Sequence, residues 1–480
     1  MDLTTLTIDE LQRGYRTKQF SPVEVLRACE ARIAAVEPQV GAFLSRDFAA
    51  ALAEAETADV SLPLGGIPVG IKDSISVKGQ PFTCASKYLA DYRAAYDATV
   101  VERLRAAGAI PYGRLNMDEF SMGGTTENSA FAPTRNPWDT SRAPGGSSGG
   151  AALAAHELPA ALGTDTGGGI RQPAALCGCV GLKPTYGRVS RCGALAVASS
   201  FDQIGPMART VRDCAMFLNA IAGLDPRDST SQNLPAEDFT TSLGREDMRG
   251  IRLGLPKEYF AVSGLDARVR ASVETAIKQC ELLGAEVVEI SLPHTEYAVS
   301  VYQILATAEA SANLARFDGV RFGRRAIDPA DWQDLNLRSR TEGFGSEVKR
   351  RLVLGTYFLS KGHYDTYYAR AQKVRTLICR DFAAAFEQVD AIVSPVTPEI
   401  APPLGSRPDD LLHLADIFTI PANLAGICGI SLPCGFIEEG DKRLPVGLQL
   451  MAKPFDETCL LAIADTFERA SGLAGIVAPL

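Results

Sequence analysis

Histidine is scarce, with four residues in 480, at positions 156, 294, 363 and 413, and no two of the eleven cysteines stand in a Cys-x-x-Cys spacing. That combination excludes both a zinc site of the usual paired-ligand kind and a disulfide framework. The cysteines, odd in number and scattered from Cys29 to Cys459, read as buried reduced thiols, because free Cys packs as a small hydrophobe. Long apolar runs are missing too: none reaches about 18 residues, and the start, Met1 to Glu10, has neither the basic segment nor the apolar segment of a secretion signal. A cytoplasmic protein that makes no use of a membrane is expected. Basic charge is also short, with 48 Lys and Arg against 57 Asp and Glu and a net charge of −9. Holding nucleic acid needs clustered cations, so this chain is not expected to bind it unaided, although a partner can bring one within reach.

What is present suits a large folded core, with 46% hydrophobic and 22% charged residues. Capping boxes at Thr7 with Glu10 and at Ser21 with Glu24, the second with Pro22 at the first helical position, mark an N-terminal helical hairpin within about residues 1–60. Gly65 to Asp73 then reads as a strand that ends near Lys72. Helix and strand patterns alternate after it: a helix near 98–107, a strand at Ala109–Tyr112, a helix after Ser148 and a strand at Ala160–Gly163. From 250 the pattern restarts with a strand at Ile251–Leu255, a helix over 266–284 and a strand at Glu286–Ile290. Helices follow to about 388, then a proline-rich loop over Ser394–Arg407, a strand near Gly447–Met451 and a last helix at 456–470. Such alternation implies an α/β sheet.

Three segments carry chemistry. A lysine ending an apolar strand, Lys72, can serve as a general base if desolvation lowers its pKa; alone it reads more simply as a strand-end lysine reaching solvent. Pro144-Gly145-Gly146-Ser147-Ser148-Gly149-Gly150 lacks the Gly-Lys-Ser/Thr ending of a phosphate loop and alone reads as a turn before a helix. Gly163 to Pro173 has the look of a strand-to-helix turn whose glycine N–H groups are available as an oxyanion hole.

Together and in this order, the three resemble the amidase-signature family. The resemblance implies a large mixed central β-sheet flanked by helices on both faces, as a single domain over 1–480. It also implies a Ser-cisSer-Lys mechanism, with Lys72 as base and Ser147, after a cis peptide bond, as relay serine. The strings Asn116–Phe120, Glu127–Phe131, Lys183–Arg191, Asp225–Ser231, Glu342–Gly345, Glu347–Arg351 and Gln372–Ile378 are similar, more narrowly, to the A-subunit branch, the glutaminase subunits of glutamyl-tRNA(Gln) amidotransferases. That branch implies glutamine as substrate, B and C subunits as partners in a heterotrimer, and Glu-tRNA(Gln) reached through the complex. It implies ATP with magnesium used by one of those partners, with no cofactor in this chain. It further implies that Arg351 holds the glutamine α-carboxylate, Asp416 the α-ammonium, that Tyr302 lines the pocket, and that Thr166, Gly167 and Gly168 contact substrate through the turn.

At the nucleophile's place the sequence departs from the family. It reads Thr166-Gly167-Gly168-Gly169, with no hydroxyl at 169, and the spacer between Ser148 and Asp165 is about two residues short. Thr164, Thr166 and Ser148 occupy other motif positions, and Cys177 and Cys179 lie further along, so none is a ready substitute. The expectation is a glutaminase subunit whose glutaminase activity is lost as written, whether by engineering or by natural loss. A stand-alone amidase on a small amide, or a non-catalytic member of a complex fed by free ammonia, stays open.

Overall fold

The computed structural model describes residues 2–406 and 415–480. Arg407, the end of the expected proline-rich loop, and His413 lie outside them. Eleven strands form one mixed sheet: β1 Phe43–Ser45, β2 Pro68–Lys72, β3 Ile110–Leu115, β4 Ala160–Asp165, β5 Val180–Lys183, β6 Gln203–Ala208, β7 Arg252–Pro256, β8 Glu286–Ile290, β9 Ala391–Pro395, β10 Cys428–Glu439 and β11 Lys442–Ala452. Their order across the sheet is β1-β3-β2-β4-β6-β5-β10-β11-β9-β7-β8. The pairs β2–β3, β2–β4, β7–β8 and β7–β9 are parallel, and the others antiparallel. Most central strands are buried along their whole length, so they read as continuous apolar runs and not as alternation. This is the α/β architecture the sequence implied.

Both capping boxes form, starting helices Ile8–Arg16 and Pro22–Val40. The hairpin ends at Val40 and not near 60; β1 and the helix Phe48–Glu56 fill the remainder. The third strand runs three residues past Tyr112, through Arg114, whose charge had hidden it: the guanidinium is 1% exposed and bonds the equally buried Asp73 at 3.1 Å. The β10–β11 hairpin was visible only near its end. Pro433, Gly435 and Pro445 suggest breaks, yet the ladder passes them with one register shift between Pro433 and Gly435, an irregularity that absorbs the misfit. Ser394 belongs to β9 and not to the loop after it. Seven cysteines are buried, but Cys192, Cys379, Cys434 and Cys459 are partly exposed. Among the described residues no helix is long and apolar enough to cross a membrane.

Two features of this layout position the site. Strands β2 and β4 are parallel neighbours, in register from Val69 opposite Ala160 to Ile71 opposite Leu162, so Lys72 and Asp165 emerge at the same carboxyl edge. The short helix Gly150–Ala154 is closed by His156 in the left-handed region, at φ 59°, and β4 starts four residues later. Beyond β4, the carboxylate of Asp165 accepts two hydrogen bonds of 2.9 Å from Arg171 Nε and Nη2 and one of 2.8 Å from Asn423 Nδ2, while Arg171 also donates to Asn423 Oδ1 and Gln449 Oε1.

Both charges of that pair are fully buried. Replacing Arg171 by Met should therefore strand the Asp165 carboxylate and lower unfolding free energy in urea by about 3–5 kcal/mol. A loss under about 1 kcal/mol, the size of an exposed pair, would show that the network does not hold the turn.

Candidate active site

Lys72 and Ser147, 75 residues apart, meet beneath the turn that follows β4. Lys72 Nζ stands 2.7 Å from Ser147 Oγ and 2.7 Å from Thr164 Oγ1, with the Thr164 carbonyl at 3.5 Å. The Gly146–Ser147 peptide bond is cis. Lys72 is wholly buried, and that burial, opposed only in part by the carboxylates of Asp118, Asp165 and Asp202, brings its pKa down from 10.5 to about 7. None of those carboxylates forms an ion pair with it. Near neutral pH the amine is therefore in good part unprotonated, with its lone pair available to take a proton from Ser147.

The turn that lies over this pair and the loops beside it are held from several sides. Gly146 N–H donates to Gln172 Oε1 at 3.0 Å, and Asp118 accepts from Thr126 N–H at 3.0 Å and Asn128 N–H at 3.2 Å. Thr166 Oγ1 donates to Asp202 Oδ1 at 2.7 Å, so Thr166 turns its hydroxyl away from the base. Burial raises the Asp202 carboxyl to about 6 despite that bond and those from the Val197 and Ala198 N–H groups. Thr419 Oγ1 donates to the Gly167 carbonyl at 2.6 Å. Gly168, at φ 144°, has to be glycine, since a Cβ there would come within 2.4 Å of Thr419 Oγ1. The N–H groups of Gly167, Gly168 and Gly169 donate to no acceptor among the described residues, which leaves them for a developing oxyanion.

Position 169 faces the pair directly. A Cβ there would lie 3.4 Å from both Ser147 N and Ser147 Oγ, and 2.7 Å from the Thr164 carbonyl oxygen, so any side chain at 169 needs that stretch of backbone to shift. The other hydroxyls nearby are committed: Ser148 Oγ bonds the Thr164 carbonyl and N–H, both at 3.2 Å, and burial holds the Cys177 thiol far above its ordinary pKa and the Cys179 thiol at about 12.

Of the residues expected to recognise substrate, Tyr302 abuts the turn, since a Cβ on Gly167 would come within 2.9 Å of its hydroxyl. Asp416 is beside Gly168 and Gly124, with Oδ1 and Oδ2 at 3.1 and 3.8 Å from where their Cβ atoms would be. Arg351 is mostly buried on the helix Ser346–Leu359, and its Nε donates to Glu347 Oε1 at 2.6 Å. That bond engages the inner edge of the guanidinium, and the outer fork is the edge that can grip a carboxylate bidentately. Arg351 also lines a cleft of about 290 Å³ with Gln303, Thr307 and Tyr367. Sequence reasoning missed Thr164 as a lysine partner and Gln172, Thr419 and Asn423 as supports. Thr164 and Gln172 sit inside the glycine-rich string and were within reach; nothing local points to Asn423, 258 residues from Asp165.

The family model for amidases matches residues 24–461. The A subunit of the glutamyl-tRNA(Gln) amidotransferase of Roseiflexus castenholzii is 56% identical over 98% of this chain and 96% of its own length. Its counterpart from Methylacidiphilum infernorum is 52% identical over 100% and 97%. Among solved structures, the corresponding A subunit from Thermotoga maritima superposes with a TM-score of 0.82 at 39% identity, covering 99% of this chain and 98% of that one. A peptide amidase in complex with the inhibitor chymostatin gives 0.84 at 31% identity, covering 99% of each.

The state of Lys72 can be read without any reaction. Between pH 7 and 10.5 the folded amine is neutral while the unfolded one is still charged, so the unfolded state binds more protons and stability rises with pH. Relative to Lys72→Met, the chain should gain about 1.4 kcal/mol of unfolding free energy per pH unit between pH 7 and 9 in urea titrations. A difference that stays flat over that range would mean that Lys72 keeps its proton.

Proposed function

The chain belongs to the amidase family, and from that premise we propose that it is the A subunit of a glutamyl-tRNA(Gln) amidotransferase, built to bind glutamine beside the Lys72–Ser147 pair. The observation that carries this reading is the contact of a buried, carboxylate-free lysine with Ser147 directly under the Thr166–Gly169 turn, in a chain that matches A subunits over nearly its whole length. Arg351 offers its outer fork to the α-carboxylate and Asp416 a carboxylate to the α-ammonium, a pairing that suits an amino acid held by its backbone end. The side-chain amide then extends toward Gly169, where the free N–H groups of the turn await the carbonyl oxygen. On this reading the ammonia released would pass within a complex with B and C subunits to a partner that uses ATP and magnesium to amidate Glu-tRNA(Gln).

With glycine at 169 no acyl-enzyme can form at that residue, and glutamine turnover by this route is lost. Binding and oxyanion stabilisation remain. The complex containing this chain would amidate Glu-tRNA(Gln) from free ammonia and not from glutamine.

Reconstitution with B and C subunits, ATP, magnesium and Glu-tRNA(Gln) tests both halves. Ammonium should support amidation, glutamine should not, and Gly169→Ser should raise the glutamine-dependent rate by up to about 10⁶-fold. Equal glutamine-dependent rates for the two chains, or none in an assembled complex carrying Gly169→Ser, would refute the assignment.

A further inference from the structure

Between residues 143 and 185 every residue is buried except Gly169. That one opening lies over Ser147, because a Cβ at 169 would stand 3.4 Å from Ser147 Oγ. Position 169 contributes no side chain over that hydroxyl, and Ser147 itself is buried. Ser147 Oγ in turn has one hydrogen-bond partner among the described residues, Lys72 Nζ. The other partners of Lys72 are two acceptors, Thr164 Oγ1 and the Thr164 carbonyl. A neutral amine has two N–H donors and one lone pair, so donating twice to Thr164 leaves the lone pair for the Ser147 proton. Of the neighbouring hydroxyls, Ser148 is bound by Thr164 and Thr166 by Asp202.

We propose that Ser147 is itself a nucleophile in this chain, forming with Lys72 a two-residue Ser–Lys centre that small activated esters acylate. In the first step the Ser147 Oγ–carbon bond forms while its proton moves to Lys72 Nζ, and the carbonyl electron pair goes to an oxyanion held by the Gly168 and Gly169 N–H groups. The bond to the leaving phenol oxygen then breaks, and that oxygen takes the proton from Lys72. Water next attacks the acyl carbon, Lys72 accepts its proton, the Oγ–carbon bond breaks and the proton returns to Oγ. The acyl carbon has to reach one side chain's depth below the position of residue 169, which favours short acyl groups over glutamine anchored at the far end by Arg351 and Asp416. A phenol leaves far more readily than an amine, so esters react where amides do not. The activity is therefore separate from the amidotransferase role and needs none of the partner chains.

Two probes on the chain as it stands decide the matter. A short-chain fluorophosphonate, which loses fluoride as the Oγ–phosphorus bond forms, should leave its mass on the peptide containing Ser147, and p-nitrophenyl acetate should be turned over. Lys72→Met should slow both by about 100-fold or more, the usual range for a lost general base. Ser147→Ala should abolish the label there, and Gly169→Ser should move it to residue 169. The site mapping needs no variant to fold. A label on another residue with Ser147 unmodified, p-nitrophenyl acetate hydrolysis without a trapped Ser147 adduct, or an unchanged labelling rate in Lys72→Met with an unaltered thermal midpoint would each overturn the proposal.

Discussion

An amine buried without a carboxylate against it is the constraint around which this centre is arranged. Lowering the pKa of Lys72 from 10.5 to about 7 corresponds to about 5 kcal/mol of disfavoured charging, a sizeable share of the roughly 5–15 kcal/mol by which domains are usually stable. The fold tolerates this because the amine discharges: neutral, it needs only two acceptors and a proton to share, and Thr164 and Ser147 supply them. Three acidic residues act on it from a distance, yet each is already satisfied. Asp165 bonds Arg171, Asp202 bonds Thr166, and Asp118 takes two backbone N–H groups. The carboxylates near the site thus serve the backbone and leave the lysine uncharged.

The buried Asp165–Arg171 pair extends that arrangement to the turn. Burial alone would raise the Asp165 carboxyl, but the Arg171 guanidinium brings it down to about 2, so the pair stays ionised at any working pH. Its partners Asn423 and Gln449 come from the chain's last 60 residues, which ties the Thr166–Gly169 turn to the far half of the sheet. Such long-range ties set the limit of what a sequence can reveal. Lys72, Ser147 and the glycine turn were legible because each lies in a short string with unusual composition. The alternation of strands and helices was legible where strands were plainly apolar, and failed at Arg114 and at Pro433 and Pro445, where a buried ion pair and a ladder irregularity make room for residues that ordinarily break strands. Of the supports, Gln172 was within reach of the string, but Thr419 and Asn423 were not legible, because their signal is contact across more than 250 residues.

Thr164 links these levels. It pairs with Ile204 of β6 one residue before β4 ends, its hydroxyl and carbonyl face Lys72, and its N–H and carbonyl bond Ser148, so one residue registers the sheet, the base and the glycine-rich loop together. Its carbonyl also sets the room available at position 169, at 2.7 Å from where a Cβ would sit.

Gly169 therefore changes more than the identity of one nucleophile. The proton path from the turn to Lys72 runs through Ser147, and a relay hydroxyl differs from an attacking one only in which atom stands before it. A side chain at 169 would occupy that place and confine Ser147 to passing protons. Its absence leaves the buried Ser147 oxygen next to Gly169, the one incompletely buried residue between 143 and 185, with Lys72 against it and the unbonded N–H groups of the turn nearby. The electrostatic work that would make such a centre reactive, desolvating the lysine and freeing the turn's backbone, is done by residues other than 169, so it does not depend on the side chain there. Reactivity is then limited by reach: what can bring a carbonyl carbon that deep, and not how basic the pair is, decides which substrates the centre accepts.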